Sequence, residues 1–299
     1  MKSFLERLKQ GEVLISDGAM GTFLFAKGLG AGECPESWCV SHPEVVRGIA
    51  AAYVAAGSDI VETNSFGGNG LKLALCGLGD KVHEFNRAAA ALAKEAIGDK
   101  GYVAASVGPT GHIAEEEGGD VTTAQLYDAF AAQVTALAEG GSDAICVETM
   151  ASLQEALAAV KAARENSPLP VICTFTFEAG LKGFRTMMGV RPDRAAREAA
   201  AAGAHLVGAN CGNGIANMIE ITRQMRAAEP GVPILIHANA GAPVVQDGKT
   251  TFQETPAYMA SRVRELVEAG ANIIGGCCGT TPEHISEIAK VARSLATSA

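Results

Sequence analysis

The chain has 299 residues, enough for one large α/β core or two ordinary domains; 48% hydrophobic residues, 5% aromatics and 35 glycines exclude a disordered or fibrous protein. With 24 basic against 33 acidic residues the net charge is −9, and no basic cluster or basic-aromatic stripe appears, which argues against nucleic acid and anionic membrane as partners. No apolar run approaches the ~20 residues that span a bilayer, and the charged N-terminus lacks the apolar centre of a secretory signal. The expected compartment is the cytoplasm, where thiols stay reduced.

Taken in chain order, β-rich runs predict strands at 13–17, 59–63, 102–107, 143–148, 170–175, 205–210, 233–238 and 272–276. Helical patterns fall between them, near 43–56, 80–97, 122–140, 152–165, 192–202, 215–228, 256–269 and 282–296. Eight strands alternating with eight helices at this length predict a single (β/α)8 TIM barrel, with residues 1–299 as one domain. The last helix has a start signal, with Thr281 as N-cap and Pro282 at the first helical position. A doubly wound open sheet would predict a G-x-G-x-x-G turn after the first strand, and "DGAMGTFL" is not one.

Strands two, four, six and eight are entered by one phrase: "AGSDIVETNS", "GGSDAICVETM", "AGAHLVGANC" and "AGANIIGGCC". Seven positions after the shared glycine lie Asn64, Glu148, Asn210 and Cys277; one position further lie Ser65, Thr149, Cys211 and Cys278. Alternate strands of such a barrel supply side chains to a common layer, so Glu148, Asn210 and Cys277 are expected at similar heights at the C-terminal mouth, where barrel active sites are built, with Cys211 and Cys278 one step higher.

Eight cysteines in a reducing compartment need explaining as thiols. Cys76, Cys146 and Cys173 sit in apolar segments and read as small buried hydrophobes. Cys34 and Cys39, spaced C-x4-C without a second pair, read as loop thiols. Cys211 and the vicinal Cys277 and Cys278 remain. Strict strand alternation would turn Cys277 and Cys278 to opposite faces, unless the ladder breaks at Gly275, Gly276 and Gly279; Gly212 could serve Cys211 likewise. Three cysteines converging at a mouth, with no fourth ligand, predict zinc with an open position. His284, in the following helix, is expected to face solvent or the helix N-terminus, and His237 to hydrogen-bond rather than ligate. An ordinary thiol, with a pKa of ~8.5, is only a few per cent thiolate at pH 7. Zinc deprotonates it outright, a gain of roughly 30-fold or about 2 kcal/mol. The expected reaction is alkyl transfer to the sulfur of a substrate thiol.

"DGAMGT" at 17–22, "ETNSFGGN" at 62–69, "GPTG" at 108–111, "ET" at 148–149, "NC" at 210–211, "NAG" at 239–241 and "GGCCGTTPEHI" at 275–285 together resemble the homocysteine S-methyltransferase family. The resemblance runs over essentially the whole chain and implies a zinc-binding barrel that methylates homocysteine to methionine. It implies Cys211, Cys277 and Cys278 as zinc ligands, Glu148 as the carboxylate holding the substrate amino group, and Asp17 and Gly18 as helpers at the amino-acid end. Glu148, an acid in an otherwise apolar strand, should expect a cation, either the substrate's or a nearby arginine such as Arg185. Asn64 and Asn239 are expected to line the mouth. Neither a folate domain nor a cobalamin domain nor an extended C-terminal arm is expected, so the donor stays open. S-methylmethionine, a betaine-like onium and a methylcorrinoid on a separate protein all qualify. The competing readings are a thiol-activating subunit of a split corrinoid system and a zinc-storing or redox-sensing barrel.

Overall fold

Eight parallel strands form the frame: β1 (Leu14–Ile15), β2 (Ile60–Glu62), β3 (Tyr102–Val107), β4 (Ala144–Met150), β5 (Val171–Phe175), β6 (Leu206–Asn210), β7 (Ile234–Ala238) and β8 (Ile273–Gly276). The computed structural model describes residues 2–246 and 249–296. The strands hydrogen-bond in the order β1-β8-β7-β6-β5-β4-β3-β2. No ladder joins β1 to β2; Asp59 closes that seam, its N–H donating to Ile15 O (2.7 Å) and its carboxylate accepting from Ile15 N (2.9 Å). Helices pack outside each strand, which makes this the (β/α)8 barrel that the alternation predicts.

The barrel interior is apolar at its lower end. Leu14, Ile60, Tyr102, Ala104, Ala144, Cys146, Ile172, Leu206, Leu235 and Ile273 pack together, with at least one residue from every strand. Phe4 and Leu8 join them from a short helix, Phe4–Lys9, which caps the bottom; the Phe4 ring meets Tyr102 edge-on at 5.7 Å. Outside, alanine-rich faces let helices lie close to the sheet. Ala156, Ala158, Ala159, Ala162 and Ala163 of helix Leu153–Asn166 are all buried.

Several details differ from the sequence expectation. β1 is only two residues long, because its ladder to β8 slips beyond Ser16: Ser16 N still donates to Ile274 O (2.9 Å), but Gly276 N reaches Asp17 O (2.8 Å). The helix expected at 80–97 begins with a 3₁₀ turn, Gly79–Lys81, before Val82–Ile97. The helix expected at 256–269 is two, Pro256–Ser261 and Val263–Glu268, broken where Arg262 N makes a tighter 3₁₀-type bond to Met259 O (3.1 Å). Cys76, expected to be buried, is exposed, since it follows the short helix Gly70–Ala74 in a surface turn. Two hairpins, Glu178–Gly180 with Gly183–Arg185 and Pro243–Gln246 with Lys249–Phe252, follow β5 and β7 and raise the rim. Among the described residues no helix is long and apolar enough to cross a membrane.

Candidate active site

Strand side chains repeat every two residues, so the apolar floor continues upward into polar positions. Above Ile60 come Glu62 and Asn64; above Cys146 comes Glu148; above Leu206 and Gly208 comes Asn210; above Ile273 and Gly275 comes Cys277. They enclose a cavity of about 250 Å³ lined by Gly18, Glu62, Asn64, Ser106, Glu148, Thr149, His237 and all three mouth cysteines, among others. Among the described residues no lysine or arginine lines it.

The thiols reach the cavity through two breaks in strand alternation. After β6 the backbone turns left-handed, with φ of 61° at Cys211 and 70° at Gly212. Cys211, a non-glycine residue in that region, is held there as its N–H donates to His237 O (3.1 Å). After β8, Cys277 N donates to Ala238 O (2.8 Å), and Thr280 closes a tight turn by donating N–H (3.1 Å) and Oγ1–H (2.7 Å) to Cys277 O. Gly279 has φ of 80°, and a Cβ there would lie 2.2 Å from the Phe252 ring. The vicinal pair thus faces the mouth together: the Sγ atoms of Cys211, Cys277 and Cys278 all lie within 4.8 Å of one another, Cys211 to Cys278 being 3.9 Å. Hydrogen bonds from Cys277 and Cys278 hold the Cys211 thiol well below the ordinary range, while the same contacts push theirs up.

Neither histidine belongs to this group. His284 sits at the start of helix Pro282–Ala296, where Nδ1 accepts from Thr281 N (3.1 Å). His237 is buried, 3.8 Å from a Glu62 oxygen.

Glu148 is buried and has no cationic partner among the described residues. Ser106 Oγ and Asn210 Nδ2 (3.0 Å) donate to it, with Thr149 Oγ1 at 3.4 Å. Arg185, the structural partner weighed from sequence, instead donates to Gly189 O (3.1 Å) beside its own hairpin. Burial, with some help from the Cys211 charge, raises the Glu148 carboxyl to about 7. Asp17 is also raised to about 7, chiefly by burial and then by Glu148. It lies behind the cavity wall and accepts from Glu62 N (2.8 Å), bracing the β1–β2 seam. Gly18 lines the cavity, and a Cβ there would come within 2.7 Å of Thr280 Oγ1. Asn64 lines it too, donating to Pro35 O (2.8 Å). Asn239 stands behind the cavity, its N–H donating to Asn213 O (2.9 Å) in the turn that follows Cys211.

Asn210 ties the two halves of the site. Its Oδ1 accepts from Thr149 N (2.8 Å) and Thr174 Oγ1 (2.7 Å), and its Nδ2 donates to Glu148 and to Thr149 Oγ1 (2.6 Å). Thr149, like Cys211, is left-handed at φ 60°. Asn210→Ala is expected to lower kcat/KM about 10- to 100-fold and to destabilise by roughly 1–3 kcal/mol. Steady-state kinetics and thermal unfolding check this; unchanged kinetics would show that Glu148 and Cys211 hold their places without it.

The sequence pattern did not single out Glu62 or Ser106. Glu62 carries the same signal as Glu148, an acid at the upper end of an apolar strand, but lies two positions below the layer picked out by the repeated phrase.

A barrel mouth with three convergent thiols beside a buried carboxylate is the kind of site that could hold a metal ion. Residues 14–292 match the homocysteine S-methyltransferase family, and the chain belongs to it. It is 30% identical over 301 residues to methionine synthase of Mycobacterium tuberculosis and 30% identical over 303 residues to that of Mycobacterium leprae. Each match covers 95% of this chain but only 25% and 24% of the relative, so the chain spans about a quarter of the length of these proteins. The metallated form of the homocysteine methyltransferase MmuM from Escherichia coli superposes with a TM-score of 0.78 at 22% identity, covering 95% of this chain and 98% of that one, a likeness of fold.

Proposed function

We propose that this chain is a zinc-dependent methyltransferase that moves a methyl group onto the thiol of homocysteine to give methionine, with residues 1–299 acting as one homocysteine-binding barrel domain. The observation that supports it most is the convergence of Cys211, Cys277 and Cys278 within 4.8 Å in the same cavity as Glu148, a carboxylate without a cation. An all-thiolate donor set suits zinc rather than an oxygen-seeking ion, and three protein ligands leave a position for a substrate sulfur. When bound, zinc would supply the acidity that strips the proton from the acceptor thiol.

The chain's own groups do the rest. Glu148 receives the substrate ammonium and so aims the side chain at the thiol cluster. Asn210 and Ser106 fix that carboxylate's rotamer. Asn239 and the turn at Thr280 hold the cysteines. The acceptor sulfur forms its bond to the methyl carbon as the donor's bond to that carbon breaks, and the donor leaves with the electron pair. A reducing compartment such as the cytoplasm would keep the three thiols available for metal.

S-methylmethionine, a betaine-like onium and a methylcorrinoid protein in trans are the donor classes. The similarity to much longer methionine synthases favours, as a second reading, a homocysteine-activating partner in a corrinoid-dependent system. Zinc-loaded protein incubated with homocysteine and each donor class, with and without a methylated corrinoid protein, should form methionine with at least one. Absence of product with all three sinks the methyltransferase reading, and product with another thiol in preference to homocysteine replaces the acceptor.

A further inference from the structure

The cavity wall contains two polar atoms that the fold leaves unpartnered: Glu62 Oε1 and His237 Nε2. Buried polar atoms in folded chains are normally paired, so orphans on two residues that line one cavity point to a ligand whose polar groups would complete them. The other oxygen of Glu62 lies 3.8 Å from His237 Nδ1, and the imidazole is buried to 2% exposure. Gly275 reserves room for that ring, since a Cβ there would lie 2.8 Å from His237 Cδ2.

We infer that Glu62 is a substrate-binding residue, a second carboxylate acceptor for the ammonium group of the thiol amino acid, shared with Glu148. This rests on the homocysteine reading above. An ammonium offers three N–H donors, and Glu148 alone cannot satisfy them, its oxygens already taking bonds from Ser106, Asn210 and Thr149. Burial and the nearby Glu148 charge disfavour a second negative charge on Glu62, and a cation placed between the two carboxylates relieves that repulsion. Among the described residues no arginine or lysine lines the cavity to do so. Glu62 therefore selects for an α-amino thiol over a thiol without the amine.

The test is calorimetric binding to zinc-loaded protein of homocysteine and of 4-mercaptobutanoate, which keeps the thiol and the carboxylate but lacks the amine. Glu62→Gln should bind homocysteine about 10- to 100-fold more weakly while changing 4-mercaptobutanoate by less than about twofold. Glu62→Asp, which keeps the charge, should fall between wild type and Glu62→Gln. A Glu62→Gln protein that binds homocysteine as tightly as wild type, or that loses both thiols alike, overturns this assignment and leaves the homocysteine reading standing. A wild-type protein that binds neither thiol overturns the homocysteine reading, and the assignment with it.

Discussion

Cys277→Ala is expected to purify with less than about a tenth of the wild-type zinc and to lose methyl transfer by at least about 10²-fold. Cys211→Ala and Cys278→Ala should behave alike. The reason is geometric. The sulfurs meet because two separate backbone breaks, at Cys211–Gly212 and at Cys277–Gly279, turn them to one point. Two thiols cannot replace three, as no other His, Cys, Asp or Glu among the described residues completes the group. The loss in rate combines the roughly 30-fold fall in acceptor thiolate at neutral pH with loss of the acceptor's position. A second readout needs no metal. Cys277 and Cys278 hold the Cys211 thiol low, so removing either should slow alkylation of Cys211 near pH 6 in the metal-free protein. Metal content, turnover and alkylation rate are measured on the same preparations. Full zinc in any one variant removes that cysteine from the ligand set.

Glu148→Gln is expected to keep its zinc and lose about 10²-fold in kcat/KM, mostly through KM for homocysteine. Gln keeps the shape and can still accept from Ser106 and Asn210, but it cannot balance an ammonium. The pH dependence has a definite sign. Burial raises the Glu148 carboxyl to about 7, so as pH falls through that value the site gains a proton and loses its pull on the ammonium. Wild-type kcat/KM should therefore drop on the acid side of neutrality, and Glu148→Gln should flatten that limb. Stability moves the other way. A carboxyl raised on folding keeps a proton that the unfolded chain has already lost, so its contribution to stability declines as pH rises from the unfolded value near 4.5 to about 7. In Glu148→Gln this penalty is gone, and Tm at pH 8 should equal or exceed that of wild type. A lower Tm together with an unchanged KM would make Glu148 a structural acceptor only.

Much of the barrel is readable as periodicity. β3 was placed to the residue, and β4 to β8 to within one or two, because buried parallel strands are short apolar runs bounded by breaks. β1 is shorter than the expected 13–17 because its bonding to β8 shifts by one residue at Asp17, a slip in register that the sequence pattern does not carry. The helix Phe4–Lys9 and the two hairpins were not foreseen. Six- and three-residue elements carry too little periodicity to register, and their stability comes from packing on the barrel ends.

The repeated phrase before strands two, four, six and eight determined, by counting alone, that Glu148, Asn210 and Cys277 share a height, since every second strand position faces the axis. It also singled out three cysteines as the unusual thiols of eight. What counting could not decide was direction at the strand ends, where period two stops. The left-handed turns at Thr149, Cys211, Gly212 and Gly279 bring Cys278 round beside Cys277 and set Thr149 against Asn210. Nor could counting show which acids lack a cation. Arg185 is bound elsewhere, Asp17 lies behind Glu62, and Glu62 faces the cavity unpaired, facts of long-range packing that no local pattern encodes.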